Sequence, residues 1–418
     1  MRDMGRSDDP RVQAQLDRLA GLSIQRDTLG LDAVRELLSR LGDPHSRLPP
    51  TFHVAGTNGK GSTCAFLRAM LEAEGYEVHV TTSPHLVRYN ERFRVAGKLI
   101  EDARLADLLE EVFDAAEGLG CSFFEISIAA AFTEFARVPA DACVVEVGLG
   151  GRLDATNVLE PEVLAACGIA ALGIDHERFL LAPEEGVPIE PMARIAFEKA
   201  GIAKKGVPLV TLGAEYPPEA VAAIRDVAAD VGAPLFEWLR DFEIPISQSL
   251  PIPPQAINAG LASAMLRLQD KISISERAIE QGKRDWVWPA RMQSLGPGPL
   301  TLLVDGQLVI LDGAHNPSAG LALANSIGGP VHLILGMLDN KDPRSLLNPL
   351  GDKVRSLTIV PVPNHDSHPP EAFGPDARAA DSIEDALLTI PSDDFPILIA
   401  GSLYLAGEVL RLNDEIPD

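Results

Sequence analysis

Apolar residues occur along the first part of the chain as short runs that alternate with longer stretches of helical spacing. The short runs predict buried strands, and they lie at 51–55, 77–81, 142–147, 163–172 and 207–212. The helically spaced stretches predict helices at 11–41, 65–74, 102–118, 125–137 and 189–200. Strands that alternate with helices form parallel sheets. The pattern therefore predicts an α/β protein with a doubly wound parallel sheet.

A stretch rich in proline, glycine and tryptophan, at 284–299, interrupts this pattern after a predicted helix at 255–269. Beyond it, short apolar runs again alternate with helical patterns. These runs predict strands at 301–304, 308–311, 331–335, 356–360 and 396–400. A chain of 418 residues is too long for one ordinary core, and linkers between domains often have this composition. We therefore expect two domains, 1–288 and 289–418, of which the second is a smaller α/β domain.

The composition is that of an acidic globular protein. Lys and Arg number 36 against 60 Asp and Glu, which gives a formal net charge of −24. Such a surface repels nucleic acid and anionic membranes, and no apolar run reaches the ~20 residues of a membrane span. The four cysteines, Cys64, Cys121, Cys143 and Cys167, form no C-x-x-C pair and predict buried free thiols. Because the first residues are also polar, we expect a cytoplasmic protein without nucleic-acid or membrane partners.

A glycine-rich loop with a lysine, Gly56–Thr63, follows the first predicted strand and leads into a helix. Glycines let backbone N–H groups approach phosphate oxygens, the helix N-terminus adds partial positive charge, and Lys60 adds a full charge. The loop is shorter than the common G-x-x-x-x-G-K-[ST] pattern, because Val54 stands where the first glycine would be. The sequence predicts binding of nucleotide phosphates here, with an ordinary glycine turn as the alternative.

Polar side chains follow three other predicted strands. Ser83 comes after the second strand, Glu146 ends the next buried strand, and Asp175 and His176 follow the one after that. Ligands of doubly wound sheets bind at the carboxyl ends of the strands, and oxygen ligands from Ser83 and Glu146 would suit Mg²⁺. Each residue also has a structural alternative: a turn for Ser83, an ion pair with Arg152 for Glu146, and an ordinary loop histidine for His176.

Several strings in the chain resemble those of the dihydrofolate synthase/folylpolyglutamate synthase family, the folate branch of the Mur ligases. They are the phosphate loop Ala55–Thr63, Ser83–Arg92, Glu146–Asn157, Phe197–Ile202 and Leu311–Pro317. They occur in family order, and the resemblance spans roughly 26–411. It implies a phosphate-loop domain with a doubly wound parallel sheet, then a smaller Rossmann-like domain that carries glutamate ligation, with the active site in the cleft between them. The chain departs from the pattern by a longer segment at 182–188 and by Ala290 in place of glycine.

The resemblance implies a set of metal and ATP contacts. Ser83, Glu146 and His176 would hold two Mg²⁺ ions, and Lys199 would be carbamylated, which turns a cation into a carboxylate-like ligand. Unmodified, Lys199 would be a positive partner for phosphate, or a helix-surface lysine. The implied ATP-binding residues are Thr57, Asn58, Gly59, Lys60, Gly61, Ser62, Asn258, Arg291 and Asp312. The implied catalytic residues are Lys60, Asp154, Lys199 and His315.

A second set of residues aligns with the family's positions that contact dihydropteroate. These residues are Leu29, Gly30, Leu31, Ser122, Phe123, Phe124, Glu125, Leu153, Asp154 and Ala155. A flat heterocycle needs apolar walls and a few orienting polar groups. Phe123 and Phe124 would form walls, or would instead be core residues at the start of a helix. Asp154 would either hold the pterin or assist the incoming amine.

The implied reaction is the ATP-dependent joining of L-glutamate to dihydropteroate or to a reduced folate. The acceptor carboxylate would take the γ-phosphoryl group, and the glutamate amine would then displace phosphate from the acyl phosphate. The sequence leaves open whether one or both ligations occur, how many glutamates are added and which folate is preferred. We expect both activities, in a monomer.

Two other classes of protein fit the chain less well. A Mur-type ligase of cell-wall precursors would need a domain for a UDP-sugar before the phosphate loop, and only about 50 residues precede it. A nucleotide-binding regulator would need the loop, but not Glu146, His176 and Lys199 together.

Overall fold

The computed structural model describes residues 7–22, 30–174, 177–238 and 253–418. Leu29 and His176, both predicted as site residues, lie outside the described residues. The chain divides into two compact units, of which the first comprises Met1–His85 and Tyr89–Val287. The second comprises Leu86–Arg88 and Trp288–Asp418.

The first unit is built on a sheet of eight strands among the described residues. The strands are β1 Thr51–Ala55, β2 Val78–Thr81, β3 Arg94–Val95, β4 Lys98–Leu99, β5 Ala142–Glu146, β6 Leu164–Ile169, β7 Leu209–Thr211 and β8 Leu235–Glu237. Their order is β4-β3-β2-β5-β1-β6-β7-β8. In this spatial order, every neighbouring pair from β2 through β5, β1, β6 and β7 to β8 is parallel. At one edge, β3 pairs antiparallel with β2 and forms an antiparallel hairpin with β4. Every residue of β1 is buried, because β5 and β6 flank it and helices cover the sheet.

Helices surround this sheet. They are α1 Pro10–Gly21, α2 Asp32–Arg40, α3 Lys60–Glu74, α4 Asp102–Ala115, α5 Phe123–Phe135, α6 Glu177–Leu180, α7 Pro191–Ala200, α8 Pro218–Val231, α9 Pro254–Leu268 and α10 Glu276–Asp285. Helix α3 begins at Lys60, five residues before the predicted start at 65. It does so because Gly59 has a φ of 81° and ends the loop, so that the Thr63 N–H already bonds the Gly59 carbonyl (2.8 Å).

The second unit has a six-stranded sheet of its own. Its strands are β9 Gln293–Ser294, β10 Val309–Leu311, β11 Val331–Leu335, β12 Val354–Ile359, β13 Ala377–Ala379 and β14 Ile397–Ala400. They lie in the order β13-β12-β11-β14-β10-β9, and the pairs are parallel except that of β9 with β10. The helices are α11 Pro317–Ser326, α12 Arg344–Leu350, α13 Ile383–Thr389 and α14 Leu403–Leu412. Apolar clusters on the two faces of the sheet form the core of this unit.

The predicted strand at 301–304 is wrong, because Thr301–Leu303 forms a 3-10 helix. The Asn413 side chain accepts from the Leu300 N–H (3.0 Å), and the Thr301 hydroxyl oxygen accepts from the Gly298 N–H (2.8 Å). These bonds hold a tight turn where the apolar run alone indicated extended chain. Leu302 is consequently 84% exposed.

The four cysteines are free and buried, as predicted. Burial raises the pKa of the Cys143 thiol, and it raises the pKa of Cys167 to about 12, so both thiols stay protonated near neutral pH. Within the described residues, no helix combines the length and apolarity needed to cross a membrane.

Candidate active site

The phosphate loop leaves the central strand β1 at its carboxyl end and enters α3. Gly56 has a φ of 149°, and a Cβ there would lie 2.9 Å from the Ala170 Cβ. The N–H groups of Thr57 and Asn58 both donate to the Ala171 carbonyl, at 2.8 and 3.1 Å. They therefore anchor the loop to the chain after β6. The donors that remain to face a phosphate are the first N–H groups of α3, which have no partner within a helix.

A carboxylate and a lysine meet beside this loop. Glu146 ends β5 next to β1, and its buried carboxylate lies 4.0 Å from the Lys60 Nζ. The other carboxylate oxygen accepts from the Ser83 N–H at 2.9 Å, after β2. The structure thus brings three predicted site residues from three neighbouring strand ends together. Arg152, the alternative partner for Glu146, bonds Glu198 instead (2.9 Å).

Lys199 also contacts this loop. It is in the last turn of α7 and is only 4% exposed. Its Nζ donates to the Gly56 carbonyl at 3.0 Å. Lys199 is therefore not a helix-surface lysine, because its side chain reaches through the core to the backbone of the phosphate loop.

Asn258 closes the loop from a further helix. It lies on α9, is 6% exposed, and its Nδ2 donates to the Gln255 Oε1 at 3.1 Å. A Cβ added at Gly59 would clash with the Asn258 Oδ1. Position 59 thus favours glycine for two reasons: its φ is positive, and the Asn258 amide lies where a Cβ would be.

Substitution of Gly59 by alanine is expected to abolish nucleotide binding and to destabilise the fold by about 2–3 kcal/mol, since positive φ and a steric clash both oppose the Cβ. Gly75→Ala is the matched control: its φ is 99°, but no atom lies within 4 Å of the added Cβ. That variant should lose only about 1 kcal/mol and keep ADP binding. Calorimetric titration with ADP and urea unfolding would measure both effects, and equal losses in the two variants would contradict the proposed contact with Asn258.

Asp154 belongs to a buried hydrogen-bonded chain. One carboxylate oxygen accepts from the Leu149 N–H (2.7 Å), and the other accepts from the Thr156 hydroxyl (2.5 Å). The Thr156 oxygen lies 2.8 Å from the His53 Nε2, which must donate because the hydroxyl proton is already used. Burial raises the pKa of Asp154, although its hydrogen bonds act to lower that pKa. Burial also lowers the pKa of His53 to about 3. These hydrogen bonds fix the loop that follows Glu146, and burial keeps His53 neutral.

Two residues of the predicted substrate set stand at the start of α5, where they cap the helix. Ser122 and Glu125 form a capping box: the Glu125 N–H donates to the Ser122 hydroxyl (3.3 Å), and the Ser122 N–H donates to the Glu125 carboxylate (2.7 Å). Both side chains are thus engaged in starting the helix. Phe124 lies where a Cβ at Gly148 would be, so its ring packs on the glycine-rich segment after β5.

Arg92, which the sequence analysis did not select, lies beside Phe123 of the predicted substrate set. It is 7% exposed, and its guanidinium lies 5.1 Å from the ring centre of Phe123 and 5.3 Å from that of Tyr89. Its Nε donates to the His85 Nδ1 at 2.9 Å. Burial, with a smaller effect from Arg92, lowers the pKa of His85 well below its ordinary value of 6.5. Arg92, His85 and Tyr89 all belong to the string Ser83–Arg92. The concentration of arginine, histidine and aromatic residues in that string is the sequence feature that could have identified Arg92.

Four other residues of the predicted substrate set lie among the described residues, and none of the four is exposed. Leu31 precedes α2 and packs on the main apolar cluster, and Gly30 is half-buried beside it. Leu153 is half-buried, and Ala155 is buried at the start of a 3-10 helix.

In the second unit, Asp312 is the buried acid. It follows β10, and its carboxylate accepts from the N–H groups of Met292 and Ala314, both at 2.8 Å. Burial raises the pKa of Asp312, and the charge of Arg291 opposes that effect. The Asp312 carboxylate therefore holds the segment of Arg291 against the end of β10.

His315 follows this acid and precedes α11. Its Nδ1 lies 2.8 Å from the Gly313 carbonyl. Asn316, not His315, caps the helix, since the Asn316 side chain accepts from the Ala319 N–H (2.9 Å). A catalytic role for His315 stays a prediction.

The described part of the chain contains no group of three His, Cys, Asp or Glu side chains placed to hold a metal ion. Of the predicted metal ligands it places the Glu146 carboxylate and Ser83 near the phosphate loop. This donor set fits Mg²⁺, which binds oxygen, usually takes only one or two protein carboxylates, and completes its shell with phosphates and waters.

A parallel sheet whose central strand runs into a phosphate loop, beside a buried carboxylate and a buried lysine, defines a phosphate-loop α/β protein. No protein-family model matches the chain. The chain is 32% identical over 425 residues to the dihydrofolate synthase/folylpolyglutamate synthase of Escherichia coli strain K12, covering 96% of this chain and 94% of that protein. By this similarity, the chain belongs to the dihydrofolate synthase/folylpolyglutamate synthase family.

Two further comparisons agree with this assignment. The chain is 32% identical over 426 residues to a probable bifunctional folylpolyglutamate synthase/dihydropteroate synthase of Halobacterium salinarum, which covers 91% of this chain. It spans only about half, 49%, of that longer relative. The structure of the Yersinia pestis folylpolyglutamate synthase/dihydrofolate synthase complexed with AMPPNP and Mn ion has a TM-score of 0.79 at 30% identity, covering 96% of this chain and 97% of that one.

Proposed function

We propose that this chain is an ATP-dependent ligase that joins L-glutamate to dihydropteroate and to reduced folates through an acyl phosphate. The observation that carries the proposal is the convergence of Lys60, Glu146 and Lys199 on one phosphate loop, in a chain of this family. A carboxylate does not react with an amine unless its oxygen becomes a good leaving group. ATP provides that leaving group as phosphate.

The first step needs charge neutralisation around the γ-phosphate. The first N–H groups of α3, at Lys60, Gly61 and Ser62, would bind the phosphate oxygens, and the Lys60 ammonium would face the charge that develops on them. Thr57 and Asn58 would shape the loop through their bonds to the Ala171 carbonyl. The acceptor carboxylate then attacks the γ-phosphorus, ADP leaves, and an acyl phosphate forms.

A divalent cation is part of this proposal. Glu146 and Ser83 would hold Mg²⁺ together with His176, and two ions are expected. When bound, Mg²⁺ would neutralise charge on the transferring phosphoryl group. The carboxylate of Glu146 is already oriented for such a role, because the Ser83 N–H fixes one of its oxygens.

We also propose that Lys199 is carbamylated. Its buried Nζ lies 3.0 Å from the Gly56 carbonyl oxygen, so a carbamate there would present two oxygens next to the phosphate loop. NMR of the protein in isotope-labelled bicarbonate would show a carbamate signal that Lys199→Ala lacks. No such signal in the wild-type enzyme would rule this modification out.

In the second step the glutamate amine attacks the acyl carbon, and phosphate leaves. We propose that the pterin lies against Phe123 and Phe124, at the start of α5. Both carboxylate oxygens of Asp154 accept hydrogen bonds from its own segment, which supports a role in orienting the loop that follows Glu146 over a role as a base. Leu29, Gly30, Leu31, Leu153 and Ala155 would complete the apolar walls.

The second unit would supply the remaining contacts as the glutamate-ligase domain. Arg291 and Asp312 would contact the nucleotide, and Asn258 of the first unit would contact its base. His315 would lie near the reacting phosphate. We further propose that the enzyme is a monomer of the cytoplasm, which the four buried free thiols support.

Phosphate release from ATP, with Mg²⁺ and L-glutamate, tests the proposed substrates. The reaction is run with dihydropteroate, with tetrahydrofolate, and with neither. Release above background with both acceptors is the expected result. Release with dihydropteroate alone would restrict the enzyme to dihydrofolate synthesis. Release that neither acceptor stimulates, in protein that binds ATP, would refute the proposed function.

A further inference from the structure

Two arginines and two carboxylates form a closed network beside α7. Arg152 donates to Glu198 (2.9 Å) and to Glu184 (2.6 Å), and Arg194 likewise reaches Glu198 (3.0 Å) and Glu184 (2.7 Å). Each guanidinium thus contacts both carboxylates, and each carboxylate contacts both guanidiniums. The four residues come from three segments: the chain after the glycines that follow β5, helix α7, and the segment between α6 and α7.

Glu184 is the member of this network that comes from outside the core. It stands in the segment 181–190, which contains the longer stretch 182–188 noted in the sequence, and its side chain remains 40% exposed. The side chains of Arg194 and Glu198 are each 5% exposed. Glu184 therefore brings a second negative charge to Arg194, which is nearly buried, and to Arg152, whose side chain is 25% exposed. Without Glu184 these two cations would share the one carboxylate of Glu198. Hydrogen bonds from Arg152 and Arg194 lower the pKa of Glu184, so it is ionised at neutral pH.

Leu180, the last residue of α6, packs on the glycines that follow Glu146. Arg194 Nε donates to the Leu180 carbonyl at 3.0 Å. The Leu180 side chain lies 2.9 Å from where a Cβ of Gly150 would be. The Arg152 N–H donates to the Glu198 carbonyl at 2.7 Å. The network thus ties the end of α7 to the loop that leaves the carboxylate strand β5.

Glu198 directly precedes Lys199 on α7. The Lys199 side chain spans from this helix to the Gly56 carbonyl, so any shift of the last turn of α7 moves its Nζ relative to the phosphate loop. Glu190 fixes the other end of α7, where its carboxylate accepts from the Ala193 N–H (2.6 Å). Both ends of the helix are therefore held by carboxylates, and the charged network holds the end that carries Lys199.

We propose that Glu184 is a positioning residue for the ligase reaction, which closes the network with Arg152, Arg194 and Glu198 and thereby fixes Lys199 against the phosphate loop. This inference rests on the proposed function for its kinetic consequences. It assigns a specific role to the segment 181–190. Glu184 itself need not touch a substrate, since it acts through the two arginines.

Glu184→Gln tests the proposal by removing the charge while keeping the size. It is expected to lower kcat about 10- to 100-fold, because small displacements of a reacting group cost this much, and to leave the KM for ATP within about twofold. Hydrogen exchange of the wild-type and variant proteins, in peptides covering 191–202, is the second measurement. Faster exchange confined to that segment is expected.

Glu185→Gln is the matched control, since Glu185 is the exposed neighbour of Glu184 on the same segment. It should match the wild type in both measurements, and Glu184→Asp should recover part of kcat. A kcat within twofold of wild type with unchanged exchange in Glu184→Gln would overturn the proposal. So would faster exchange spread over the whole first unit with kcat per folded molecule unchanged, since that result marks a purely structural role. A wild-type protein without ligase activity would refute the proposed function, while exchange would still test the network.

Discussion

Replacement of Lys60 by alanine is expected to lower kcat about 100- to 1000-fold and to weaken ADP binding at the same time. Lys60 supplies the full positive charge of the phosphate loop, and loss of one preorganised electrostatic contact typically has an effect of this size. Folding should be retained, because Lys60 is the first residue of α3 and alanine has the highest helix propensity. Steady-state kinetics with dihydropteroate and titration with ADP measure the two effects.

Lys98→Ala is the matched control for Lys60→Ala. Lys98 is an exposed lysine of the β3–β4 hairpin in the same unit, so its loss changes the net charge equally. Its kinetics should equal those of the wild type. A Lys60→Ala enzyme with near-normal kcat and ADP affinity would show that the loop does not bind the nucleotide phosphates.

Replacement of Glu146 by glutamine is expected to lower kcat about 100-fold and to raise the Mg²⁺ concentration needed for half-maximal activity. The side-chain amide oxygen of glutamine can still accept from the Ser83 N–H, so the local fold should persist. The substitution therefore removes the negative charge and largely preserves the local structure. A Mg²⁺ titration of phosphate release, run for the wild type and the variant, measures the effect.

Glu237→Gln is the matched control for Glu146→Gln. Glu237 is also a buried carboxylate at the carboxyl end of a strand of the same sheet, but it pairs with Arg225 (2.7 Å) at the far edge. This variant is expected to lose stability and to keep its Mg²⁺ dependence. Identical Mg²⁺ dependence in wild type and Glu146→Gln would remove Glu146 from the metal site.

The strand and helix pattern was sufficient to predict the parallel sheet, because buried strands flanked by helices leave few other arrangements. It also placed Ser83 and Glu146 on the carboxyl edge of β2 and β5, where the structure brings them within a hydrogen bond. The β3–β4 hairpin was not predicted, because two strands of two residues each carry too few positions for an alternating pattern to appear.

Other features depend on contacts between residues distant in sequence. The turn at Thr301–Leu303 depends on Asn413, which lies more than a hundred residues away. Arg92 was not selected because its role depends on Phe123, which comes from α5. Glu184 likewise gains its significance from Arg152 and Arg194, and no local pattern connects these three.

In the proposed reaction, ATP is consumed to make an amide bond between a pteroate and glutamate. The most direct measurement is the amount of ADP and of dihydrofolate formed by the wild-type enzyme in one reaction with ATP, Mg²⁺, dihydropteroate and L-glutamate. One ADP is expected for each glutamate joined to the pteroate, and neither product above background without dihydropteroate. ADP formed without dihydrofolate, at the same rate with and without dihydropteroate, would contradict the proposed reaction.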